Sequence, residues 1–365
     1  MLTVPQQKFK SKMLEEIHQQ PQVLERTLTS QLRNIAELRR RLKRPRLIVL
    51  VARGTSDNAA QFGRYLLEIV TGIPVSLAAP SIYTLYRSSL DLKDALVVAI
   101  SQSGESTDTN LVLEHARRRG AVTIGITNDA SSTLARLAQH LILVRAGKER
   151  SVAATKTYTG QLLSFYLLAH ALGGAIDLDD LRRLPRAVEE ALRLEPEIAS
   201  RAARYRFMDH AVVVGRGLNY SNTFEFALKL METCYVVAER FSSADLLHGP
   251  IAMLDTAFPV FLFTPGGVTF PGLARIMTHL SRIKSEALII TDRSNRAALR
   301  AASKNGAAQV ICIPQAFGGK HPRPADLYTP IPYIVPAQLF AACLAEVKGL
   351  DPDRPRALSK VTHTL

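Results

Sequence analysis

The stretch that decides the fold reads Ala95-Leu-Val-Val-Ala-Ile100-Ser101-Gln102-Ser103-Gly104-Glu105-Ser106. Ala95–Ile100 is a short unbroken apolar run, the pattern of a strand buried on both faces of a parallel sheet. The polar turn after it leads into a helix expected to begin near Thr107 or Asp108. In parallel sheets, ligands bind beyond the C-terminal ends of the strands. A helix start offers free N–H groups and partial positive charge to an anion. A plain N-cap needs one hydroxyl. This turn has three, plus the amide of Gln102, so it reads as a cradle for a phosphate monoester made by Ser101, Gln102, Ser103 and Ser106.

The same arrangement occurs upstream. Leu47–Val51 is apolar, Arg53-Gly54-Thr55-Ser56-Asp57 is a turn, and helix follows to about Val70. Gly54, Thr55 and Ser56 add backbone and hydroxyl donors suited to the same anion. No GxxxxGK[ST] loop exists, and Tyr220 occupies the last glycine position of a would-be GxGxxG at Gly215-Arg-Gly217, so neither nucleotide fingerprint is present. Further strands are expected at Val75–Ala79, Val122–Thr127 and His140–Val144, with helices over 11–42, 153–172 and 178–203. The pattern then restarts. Val49–Gly54 and Val212–Gly217 match at a fixed offset, and strands are expected at Val260–Phe263, Ala287–Thr291 and Gln309–Ile313. This alternation implies two α/β units of one topology, each a parallel sheet flanked by helices in a doubly wound, flavodoxin-like three-layer sandwich. The expected organisation is a helical segment over 1–45, units over 46–190 and 191–348, and a polar tail over 349–365.

Composition narrows the classes. The chain has 365 residues, 46 Lys or Arg against 32 Asp or Glu, and a net charge of +14. That charge suits a nucleic acid, an anionic small molecule or a solvated basic surface. The absence of Trp and the 6% aromatic content disfavour a base-stacking surface. Cys234, Cys312 and Cys343 form no CxxC spacing, so no disulfide framework or zinc site is expected, and a reducing compartment is. The N-terminus has no apolar signal region, and no unbroken run of 18 apolar residues occurs. The expectation is a cytoplasmic protein with no membrane or nucleic-acid partner, no metal and no cofactor.

Three other segments carry chemistry. Glu225, Lys229 and Glu232 share one helical face, although spacing alone favours a solvated Glu–Lys–Glu ladder. His248 sits in the turn Leu247-His-Gly-Pro250, where a near-neutral pKa suits acid–base work, or where the ring simply bonds backbone. Lys360 belongs to the tail and by position alone would be solvated.

Together these segments resemble the sugar isomerase (SIS) domain proteins, and among them the isomerase half of glucosamine-6-phosphate synthases. The resemblance is carried by Met13-Leu-Glu-Glu-Ile17 with Gln20-Pro21, Arg53-Gly-Thr-Ser56, Ser101–Ser106, Glu149-Arg-Ser-Val-Ala-Ala-Thr-Lys-Thr157, Glu225–Glu232, Leu247-His-Gly-Pro250 and Asp353-Arg-Pro-Arg-Ala-Leu-Ser-Lys360. It implies two SIS subdomains. It places phosphate binding on Ser56, Ser101, Gln102, Ser103 and Ser106, sugar contacts on the backbone at Val152 and Ser359, and catalysis on Glu232, His248 and Lys360 with Lys229 nearby. It implies a homodimer in which His248 crosses from the neighbouring subunit. Arg53 stands where the synthases have Cys, Ser106 where they have Thr, and Asp245 and Leu247 where they have Glu and Lys.

The SIS-like segments begin almost at once after Met1-Leu2. We therefore expect no glutaminase portion, and mass action then favours glucosamine 6-phosphate deamination to fructose 6-phosphate and ammonia. Ammonia-dependent synthesis and deglycation of an amine-linked sugar phosphate share the same groups. A non-catalytic sugar-phosphate sensor would have no use for Glu232, His248 and Lys360 together, and about 45 residues before the first strand leave little room for a DNA-binding module.

Overall fold

The computed structural model describes residues 11–314, 324–358 and 360. Two helices open it, α1 (Lys12–His18) and α2 (Gln20–Arg41). Next come β1 (Leu47–Val51), α3 (Thr55–Thr71), β2 (Val75–Leu77), α4 (Pro80–Thr84), β3 (Ala95–Ser101), α5 (Thr107–Arg118), β4 (Val122–Thr127), α6 (Thr133–Leu137), β5 (His140–Leu143) and α7 (Lys156–Ala171). Helices α8 (Leu178–Leu192) and α9 (Glu195–Arg204) lead to the second sheet. That half contains β6 (His210–Gly215), α10 (Tyr220–Cys234), β7 (Val237–Ser242), α11 (Ser243–Leu247), β8 (Val260–Phe263), α12 (Phe270–Arg282), β9 (Ala287–Asp292), α13 (Arg296–Ala302), β10 (Ala308–Ile313) and α14 (Pro330–Val347).

The sheets are five-stranded, in orders β2-β1-β3-β4-β5 and β10-β9-β8-β6-β7. Every strand pair is parallel. Renumbered from its first strand, the second order is the first read backwards, so both halves have one topology and the inferred duplication is correct. The order is the flavodoxin-like one, whose switch point lies between β1 and β3. The loops 53–56 and 101–106 leave those two strands side by side.

Proline corrects two helix boundaries. The helix expected over 11–42 is two helices, because Pro21 lies in the first turn of α2, where its missing N–H costs nothing. The helix expected over 178–203 divides at Pro196 in the same way. Strand β7 and helix α14 were not anticipated. Val237–Ser242 mixes exposed and buried positions without clean alternation. Helix α14 is apolar nearly all round and so has no helical stripe to detect. By length and composition it could cross a membrane, but 89% of it is buried inside the protein, as in a core helix. One continuous core joins both halves. In it Phe340 of α14 meets Tyr205, Phe226 and Phe261 at ring distances of 5.4, 5.9 and 5.1 Å.

Candidate active site

A cavity of about 360 Å³ opens at the switch point, lined by Arg53, Gly54, Thr55, Ser56, Ile100, Ser101, Gln102, Ser103, Ser106, Val152, Ala154, Glu232, Leu358 and Lys360. It collects nearly every residue singled out from the sequence. Ser359 lies outside the described residues. His248 does not line the cavity; it is exposed, just past α11.

The cradle is shaped by its own hydroxyls. Gly54 (φ 56°) turns the chain from β1 into α3, and Gly104 (φ 70°) sits where a Cβ would collide with Ser132. Ser101 Oγ accepts the Gly104 N–H at 3.1 Å, Ser103 Oγ accepts that of Glu105 at 3.3 Å, and Ser56 Oγ accepts the Gln161 amide at 2.9 Å. A hydroxyl has one donor besides its lone pairs. Because these three act as acceptors here, their O–H groups remain available to an anion, together with the starts of α3 and α5. Ser106 differs: its hydroxyl is 3.0 Å from both Asp108 Oδ1 and Thr109 Oγ1.

Opposite the cradle stands α10. The spacing-based expectation of a solvated Glu–Lys–Glu ladder is wrong, because α10 packs on α3 and buries it. Glu225 and Lys229 are 0% exposed, and only Glu232, with 22% of its side chain accessible, reaches the cavity. Lys229 Nζ lies 2.5 Å from Glu232 Oε2, 3.5 Å from Glu225 Oε1 and 3.2 Å from Thr55 Oγ1. The Asn58 amide donates to Glu225 Oε2 at 2.8 Å. Burial drives the Glu225 carboxyl up to about 7, against the pull of the Lys229 ammonium and the Asn58 amide. Burial also opposes charge on Lys229, but the two carboxylates outweigh it and hold its pKa above the ordinary lysine value. The lysine is thus a fixed cation that aims the Glu232 carboxylate.

The third wall is the segment before α7. Glu149 is fully buried and accepts the Thr155 N–H at 2.9 Å, the Thr157 N–H at 3.2 Å and the Thr157 hydroxyl at 2.6 Å. Lys360 donates to the Ser151 carbonyl at 2.6 Å and stands 3.3 Å from Glu149 Oε2. Burial pushes the Glu149 carboxyl up, but Lys360 and these hydrogen bonds prevail and hold it below the usual range. Lys360 is therefore not the solvated tail lysine its position suggests. The tail is strapped down: Asp353 accepts the Lys12 and Met13 N–H groups at 2.7 and 2.9 Å, and Arg356 stacks 4.6 Å over Tyr235.

Glu149, Asp108 and the buried role of Glu225 escaped the sequence reading. Their partners are Lys360, Arg53 and Asn58, all far away along the chain, so no local spacing betrays them.

The sequence pattern of the SIS domain matches residues 41–171 and 206–313. The chain belongs to the SIS domain family. Among SIS relatives, a glutamine–fructose-6-phosphate aminotransferase (isomerizing) of Acidithiobacillus ferridurans is 37% identical over 95% of this chain. The chain spans 58% of that relative's length. The solved C-terminal domain of glucosamine-fructose-6-phosphate aminotransferase from Francisella tularensis superposes with a TM-score of 0.84 at 27% identity, over 95% of this chain and 99% of that one. A glucosamine-6-phosphate deaminase of Thermotoga maritima shares the SIS fold with a TM-score of 0.69 over 97% of this chain and 100% of that one, at 22% identity, a likeness of fold alone.

Proposed function

We propose that this SIS protein binds an amino-sugar 6-phosphate and moves a proton between C1 and C2 of the open sugar. The observation that carries the reading is the meeting, in one cavity, of a hydroxyl cradle at two helix starts with one cavity-facing carboxylate, Glu232, and one amine, Lys360. The phosphate seats in Ser56, Ser101, Gln102 and Ser103, with Ser106 offering its backbone N–H at the start of α5 because its hydroxyl is held by Asp108. That anchor fixes the carbon chain, so C1 and C2 come within reach of Glu232. With glucosamine 6-phosphate, Glu232 takes the C2 proton and returns it at C1. The amine-bearing carbon becomes an imine, and water hydrolyses it to fructose 6-phosphate and ammonia. General acid–base catalysis of this kind is typically worth about 10²–10⁴-fold. Lys360 orients the carbonyl or forms a Schiff base with the ketose, and its tail closes over the sugar. His248, exposed and outside the cavity of its own chain, opens the sugar ring from a second copy in a homodimer.

The activity in the relatives' name is amination of fructose 6-phosphate, and the same proton transfer serves it in reverse. Without added ammonia, mass action draws the reaction toward ammonia release. The test is ammonia release by the purified chain from glucosamine 6-phosphate, beside a panel of other C6-phosphorylated amino and glycated sugars. Release from glucosamine 6-phosphate supports the reading. Turnover only of a glycated sugar would replace the substrate, and failure to bind any hexose 6-phosphate would remove the function.

A further inference from the structure

Of the charged residues lining the cavity, Arg53, Glu232 and Lys360, only Arg53 is left unused by the proposed chemistry. Its Nε lies 2.5 Å from Asp108 Oδ2, and Asp108 is buried in the first turn of α5, with 1% of its side chain accessible. Asp108 is further held by the Ser106 hydroxyl at 3.0 Å and by the Thr109 N–H at 2.8 Å. A buried carboxylate fixed on three sides makes a rigid anchor. It holds the guanidinium at Nε while leaving half of the arginine side chain, 51%, accessible. Among the described residues no hydrogen bond or ion pair is found for Nη1 or Nη2. Arg53 lines the same cavity as Ser101, Gln102, Ser103 and Ser106. The rest of the cradle is neutral: hydroxyls, an amide and backbone N–H groups, whose pull on an anion comes from dipoles alone. A guanidinium presents two donors in a planar fork that matches a phosphate edge and carries a permanent charge.

We infer that Arg53, held in place by Asp108, is a phosphate-binding residue that makes the site selective for the dianion of a phosphate monoester. The inference rests on the reading of this cavity as a sugar-phosphate site, and it adds a guanidinium fork, held from behind by the Asp108 carboxylate, to a cradle otherwise built from dipoles. Arg53 touches the anion. Asp108 is a positioning residue that acts through it.

The test needs no turnover. Glucitol 6-phosphate has no carbonyl and cannot react, and glucitol 6-sulfate offers similar oxygens with one charge instead of the ~1.5–2 of a phosphate monoester near neutral pH. Their dissociation constants are measured by calorimetry on the parent, Arg53→Ala, Arg53→Lys and Asp108→Asn. The parent prefers the phosphate. Arg53→Ala weakens phosphate binding about tenfold, the scale of one charge-assisted hydrogen bond at a half-exposed group, and weakens sulfate binding less, so the preference shrinks. Arg53→Lys restores part of it. Asp108→Asn changes the preference in the parent but not in Arg53→Ala, with the circular dichroism spectrum unchanged. A preference in Arg53→Ala equal to that of the parent overturns the inference while leaving the sugar-phosphate reading intact. A parent that binds neither ligand overturns that reading, and the inference with it.

Discussion

Lys229→Met tests the buried charge relay behind Glu232. The lysine is fully buried and is the main group holding the Glu225 carboxyl down, yet that carboxyl is already pushed up to about 7. Without the cation, Glu225 keeps only Asn58 and Thr55 as partners among the described residues. It cannot stay ionised there, so it takes up a proton and its pKa rises further. A group whose folded pKa lies above its unfolded value contributes stability at low pH and loses it as pH climbs through the folded value. In the parent that loss runs from the ordinary carboxyl value of 4.5 to about 7 and then ends. In Lys229→Met it continues upward. Breaking a buried pair by removing one partner costs about 3–5 kcal/mol, and here the cost depends on pH. A buried Glu with no counter-charge reaches roughly 9, and at that value the destabilisation relative to the parent is about 2 kcal/mol larger at pH 8.5 than at pH 6.5. Urea unfolding followed by circular dichroism at those two values measures it. Adding Glu225→Gln removes the group responsible, so the double variant shows no such increment. Equal destabilisation at both pH values would refute the reasoning, because Glu225 would then not be the group that Lys229 neutralises.

Three further outcomes follow from the geometry. Ser103→Ala removes one neutral donor from the cradle, worth about 1 kcal/mol, and raises the KM for a hexose 6-phosphate roughly fivefold with little change in kcat. Glu149, held below the usual carboxyl range chiefly by Lys360 against burial, contributes stability above its unfolded value that is lost as pH falls through the folded one; thermal melts of Glu149→Gln therefore decline less steeply than the parent's below pH ~4.5. If His248 serves a neighbouring subunit, mixing inactive Glu232→Gln with inactive His248→Asn restores about a quarter of the parent activity, since half the dimers are mixed and each holds one intact site; no recovery on mixing places His248 outside the partner's site.

The cradle was legible because it obeys local rules. An apolar strand, a turn rich in serine and a helix start are contiguous in Ala95–Asp108, and the parallel order brings a second such turn beside it. The α10 trio was legible as a face but not as a site. The spacing of Glu225, Lys229 and Glu232 is the same on a wet surface ladder and in a buried relay, and only the packing of α3 against it decides. Resemblance marked Lys360 and Glu232, yet what holds them, Glu149 and Lys229, depends on tertiary contact. The helix ends at Pro21 and Pro196 follow from the missing proline N–H, a local signal that the apolar periodicity of both stretches overrode. Helix α14 fell outside periodic reading because a helix buried on every side has no polar face. Arg53 looked like a departure until the buried Asp108, on a helix that follows another strand, gave it a fixed direction.

The central claim is that Glu232 carries a proton between C1 and C2 of a phosphate-anchored sugar. It is tested most directly by incubating the protein with fructose 6-phosphate in D₂O and following exchange of the C1 hydrogens by proton NMR, beside calorimetric binding of the same sugar to Glu232→Gln. Exchange is expected in the parent and not in Glu232→Gln, whose affinity for the sugar stays within a few-fold of the parent's. Undiminished exchange in Glu232→Gln would contradict that claim.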